Sequence, residues 1–84
     1  MNTRPAEFST RDIFLATILK QSGIPLLKVI DNNGRGIFIF KSSEQIERLI
    51  NGYFNNELRV DPKSFVENWK SLKSLAYSIT NNMG

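Results

Sequence analysis

Apolar positions in this 84-residue chain follow a helical period in three stretches and a strand period between the first two. Phe8-Ser9-Thr10-Arg11-Asp12-Ile13 reads as a helix start, with Ser9 as N-cap, Asp12 at N3, and Phe8 and Ile13 placed for a hydrophobic staple. Ile13, Phe14, Leu15, Ala16, Ile18 and Leu19 form a broad apolar face, and Gly23 followed by Pro25 ends it, which predicts a helix over 10–22. Next come two apolar, β-branched runs around Asn33-Gly34, a dipeptide that accepts positive φ at both centres of a type I′ turn. Strands over 26–31 and 36–40 follow, with Ile30 facing Ile37, Val29 facing Phe38, Lys28 facing Ile39 and Leu27 facing Phe40.

Opposed residues share a face. Leu27, Val29, Phe38 and Phe40 therefore make one apolar surface, while Leu26, Lys28, Ile30, Ile37, Ile39 and Lys41 make a mixed aliphatic and basic one. Ser42 with Gln45 caps a second helix over 43–54, whose Ile46, Leu49, Ile50, Tyr53 and Phe54 recur at core-facing spacing. Gly52 lies off that stripe. Asp61-Pro62 opens a third helix over 62–79, striped by Phe65, Trp69, Leu72, Ala76 and Ile79. Residues 57–60 alternate, as a short third strand or an extended connector. The expected fold is α+β in the order α-β-β-α-α, three helices packed on a β-hairpin, in one domain spanning 1–84 with an ordered core at 8–79 and frayed ends at 1–6 and 81–84. Phe14, Leu27, Val29, Phe38, Phe40, Ile46, Leu49, Tyr53, Phe65, Trp69 and Leu72 are the expected core, and Trp69→Ala is expected to cost ~3–5 kcal/mol.

Composition removes most chemistry. Without cysteine there are no disulfides or thiolate sites, and without histidine the commonest metal ligand and general base are missing. Asp31-Asn32-Asn33-Gly34-Arg35-Gly36 has a calcium-loop outline, but Arg35 and Ser42 occupy ligand positions and a hairpin turn accounts for every residue. Glu44 and Glu47 suit a helix N-terminus, Glu44 can pair with Arg48, and Asp12 and Asp61 are capping residues. A non-enzyme without cofactor or metal is expected. No apolar run approaches a membrane span and Met1-Asn2-Thr3-Arg4-Pro5 is no signal peptide, so the expected place is the cytoplasm, with no membrane partner.

The caps and turns carry a resemblance. Phe8 to Ile13, Ile37-Phe38-Ile39-Phe40 running into the Ser42-capped helix, the Tyr53 region, Val60-Asp61-Pro62-x-x-Phe65 and Leu72-Lys73-Ser74-Leu75 resemble a small bacterial and phage-associated family catalogued only as a domain of unknown function. The likeness covers residues 8–78 and specifies fold, not chemistry. It implies a setting among phages and mobile elements.

Charge points to the hairpin. Residues 1–41 carry six basic side chains against three acidic, and residues 42–84 five against five. The first expectation is a nucleic-acid-associated accessory protein that contacts phosphates through Lys28, Arg35 and Lys41, with Arg11 and Lys20 alongside. The alternative is a protein-interaction or inhibitor module, as a homodimer or with another protein, centred on Ile30, Ile37 and Ile39. A third arrangement covers one hairpin face with the first helix and the other with the third, leaving Lys28 and Lys41 to snorkel from a buried layer.

Overall fold

A computed structural model describes residues 6–81; of the frayed ends expected at 1–6 and 81–84, residues 1–5 and 82–84 lie outside the described residues. The elements are β1 (Glu7–Thr10), α1 (Ile13–Gln21), β2 (Leu26–Asn32), β3 (Arg35–Lys41), α2 (Glu44–Phe54) and α3 (Pro62–Thr80). The α+β class and the hairpin-centred helix order hold, and a third strand joins the hairpin at its N-terminal side. The antiparallel sheet has the order β1-β3-β2.

The third strand is β1, not residues 57–60. Glu7-Phe8-Ser9-Thr10 alternates polar and apolar, and Phe8 pairs with Phe40 so that both rings face the helices. Both edges of β3 are thereby occupied, and Leu58 instead lies against Gly52 of α2, where an added Cβ would stand 2.7 Å from Leu58 Cδ2. Because Ser9 is in a strand, the cap of α1 moves to Asp12, whose Oδ1 accepts from the N–H groups of Phe14 at 2.9 Å and Leu15 at 3.2 Å. The cap of α2 is likewise Ser43, not Ser42, accepting from Ile46 N–H.

Helix ends close by a shared device. After α1, Gly23 (φ +89°) donates to Lys20 O and Ile24 to Leu19 O. After α2, Asn56 (φ +57°) donates to Tyr53 O and Glu57 to Gly52 O. Both are Schellman motifs, satisfying carbonyls that a helix end leaves free.

The hairpin turns at Asn33 (φ +55°) and Gly34 (φ +86°), and Asp31 Oδ1 accepts from Gly34 N–H at 2.8 Å, so this acidic residue serves the turn. Its register is the expected one through Lys28↔Ile39. A bulge then intervenes and Leu26, not Leu27, meets Phe40. The bulge transfers Leu26 to the core side and leaves Leu27 48% exposed on edge strand β2.

The core joins Leu15, Ala16 and Leu19 of α1, Ile46 of α2 and Leu72 of α3 to Val29, Phe38 and Phe40, with Phe8 and Leu26 packed against them. All these sheet residues belong to one face by register. The helices therefore share one side of the sheet, and the molecule is 19 Å across its short axis, two layers deep. The buried three-layer arrangement is ruled out among the described residues. Thr17, buried among these residues, returns its hydroxyl to Ile13 O at 2.7 Å.

Candidate binding surface

Alternation along the strands assigns Glu7 and Ser9 of β1, Lys28, Ile30 and Asn32 of β2, and Arg35, Ile37, Ile39 and Lys41 of β3 to the face that carries no helix. Across it, Glu7 opposes Lys41, Ser9 and Lys28 flank Ile39, Ile30 opposes Ile37, and Asn32 opposes Arg35. Arg35 and Lys41 stand at the two ends of the central strand, about 20 Å apart at strand rise. Lys28, Arg35 and Lys41 are exposed, and none is held in an ion pair among the described residues. Three of the five expected phosphate contacts thus share one face.

The other two do not join them in the same way. Arg11 is exposed in the connection from β1 to α1. Lys20 belongs to the helix layer, where its Nζ donates to Asn68 Oδ1 at 2.9 Å and ties α1 to α3. The expected protein interface is graded: Ile30 is exposed, Ile37 half-buried, and Ile39 buried by its place in the middle strand with neighbours on both sides. Among the described residues of the sheet no aromatic side chain lies on this face; Phe8, Phe38 and Phe40 all belong to the core face.

The carboxylates have structural employment. Asp12 Oδ2 accepts from the Tyr53 hydroxyl at 2.9 Å, so one aspartate caps α1 and anchors α2. Burial, and then this hydrogen bond, raise the Tyr53 phenol above its ordinary value. Asp61 caps α3 by accepting from Ser64 N–H at 2.8 Å, and that backbone bond holds its carboxyl below the usual range. Glu44 reaches Arg48 at 4.0 Å, one turn on. Among the described residues no cluster of His, Cys, Asp and Glu could hold a metal ion, and no helix is long and apolar enough to cross a membrane.

An aromatic flank on α3 was not expected from the sequence. Phe14, expected in the core, is 51% exposed and stacks beside Phe65 and Trp69, with centroids at 6.5 and 6.4 Å. Lys73 Nζ lies 4.8 Å from the Trp69 ring centre. Phe65 and Trp69 are only half-buried. The spacing Trp69, Lys73, Tyr77 at i, i+4 and i+8 was the available signal; it aligns two rings and a cation along one flank of α3.

The architecture defines a two-layer α+β domain with helices on one sheet face and a mixed basic and aliphatic surface on the other. The chain belongs to the family described as Domain of unknown function (DUF5659), whose model matches residues 5–78. No curated protein and no solved structure matches the chain.

Proposed function

We propose that this domain is a non-catalytic binding module that engages duplex nucleic acid through its helix-free sheet face, as a cytoplasmic accessory of a phage or mobile element. The reading rests on the register: Lys28, Arg35 and Lys41 share that face, exposed and without ion-pair partners among the described residues. The β2–β3 pair, which carries all three cations at one side of the three-stranded sheet, has the width of the two-stranded ribbon that a major groove admits, and its cations can meet phosphates. The face has no stacking rings among the described residues, and its three free cations suit phosphates, so the binding is mainly electrostatic.

Three phosphate contacts give a slope of log K against log[salt] of about −2.7 on B-DNA, and each Lys28→Gln, Arg35→Gln or Lys41→Gln change removes about 0.9 of it. Fluorescence anisotropy of a labelled duplex across a salt series reads this directly. Absence of salt-sensitive binding at micromolar protein ends the proposal.

A second reading draws on Ile30 and Leu27, both exposed on β2, an edge strand of the sheet. A second copy could bury them by face-to-face stacking; the bulge at Leu27 opposes direct strand addition. Ile30→Glu is then expected to convert a dimer into a folded monomer by sedimentation velocity. A wild type that is already monomeric at high micromolar concentration removes this reading.

A further inference from the structure

We propose that the flank of α3 bearing Trp69, Lys70, Lys73, Ser74 and Tyr77 binds unpaired nucleotides of a single-stranded nucleic acid. These five residues line an open groove of about 430 Å³. The groove lies in the helix layer, across the sheet from Lys28, Arg35 and Lys41, and is a separate surface. The inference therefore does not depend on the sheet-face reading.

Charge and shape choose the occupant. Lys70 and Lys73 form no ion pair among the described residues, and Glu67 is the single acid of α3. The groove is thus a cationic trough bordered by rings, the arrangement that holds a strand by phosphate contact and base stacking. Tyr77 is 66% exposed and presents a free ring. Trp69 carries the Lys73 ammonium over its ring and stacks beside Phe14 of α1. Its indole N–H is buried without an acceptor among the described residues. A phosphate draws Lys73 off the indole, because a full anion outcompetes a ring quadrupole for an exposed ammonium. The freed Trp69 face then takes a base of the same strand, about 12 Å along α3 from the one stacked on Tyr77. An acidic peptide would also meet the lysines, but the open trough has no deep apolar pocket in which to bury an anchoring side chain.

Trp69 is the only tryptophan and lines the groove, so its emission is a local probe of binding there. Titration with oligothymidylate is expected to change that emission, with a salt slope of about −1.4 from two lysines. Lys70→Gln and Lys73→Gln each remove about 0.7 of the slope, and Tyr77→Ala weakens binding about ten-fold. Tyr77 is largely exposed, so its variant keeps the wild-type thermal melt. Unchanged Trp69 emission, or full affinity in Tyr77→Ala, overturns the proposal. So does a response to polyglutamate in place of oligothymidylate, or an emission change with protein concentration alone, which assigns the groove to a second copy. The combined Lys28→Gln, Arg35→Gln, Lys41→Gln variant separates the two surfaces: it retains the Trp69 response while losing duplex binding. Loss of the Trp69 response in that variant assigns the single strand to the sheet face and overturns the groove.

Discussion

Phe40→Ala is expected to remove most of the stability of this domain. Phe40 is fully buried in the central strand, paired with Phe8 on one side and Leu26 on the other, so its ring touches the layer where sheet and helices meet. Truncating a buried phenylalanine costs about 3–5 kcal/mol through lost transfer energy and the residual cavity. A domain of this length has about 4–13 kcal/mol in total. The melting temperature is expected to fall by roughly 15–30 °C, since each kcal/mol moves a small domain by about 4–8 °C. Trp69→Ala, with its ring half-buried beside Phe14, is expected to cost clearly less. Urea denaturation of the two variants checks the ranking, and the reverse order would contradict the assignment of Trp69 to a surface groove.

The Asp12→Ala variant is expected to lose about 2 kcal/mol, more than a typical surface cap alone would carry. Its cap on Phe14 and Leu15 accounts for about 1 kcal/mol. The charge-assisted bond from Tyr53 adds a comparable amount, reduced because the pair is only partly buried. Tyr53→Phe removes the second part and keeps the first, so a double-mutant cycle should return a coupling near 1 kcal/mol. Alkaline titration checks the same bond. The folded-state pKa of Tyr53 is raised, by burial first and by Asp12 second, so its contribution is complete below the ordinary value of 10.0. That contribution is lost as pH rises through the folded value, and Tyr53→Phe abolishes the loss. Equal stability of Asp12→Ala and wild type would separate α1 from α2.

Features written in neighbouring residues were legible without the fold. Asn33-Gly34 selected a type I′ turn and with it the register as far as Lys28, because a two-residue loop leaves the strands no freedom to slide. Asp61-Pro62 set the start of α3, and Gly23 the end of α1, by hydrogen bonds that span at most five residues. The placement of Lys28, Arg35 and Lys41 on one face followed from the same register and strand alternation.

What lay outside local reach was decided by partners distant in the chain. Phe8-Ser9-Thr10 could cap a helix or extend as a strand, and the unpaired edge of β3 chose the strand; only then did Asp12 become the cap and meet Tyr53, 41 residues away. The bulge at Leu27 likewise answers to packing, since it is Leu26 that fits beside Phe40. The same holds for the aromatic flank of α3. Its apolar arc is wider than the 19 Å-thick two-layer body can cover, and periodicity alone does not say which side of an over-wide stripe meets the sheet. Helical spacing named the rings; the packing of α1 on α3 left Phe14 exposed beside a half-buried Trp69, and Tyr77 lies exposed further along α3.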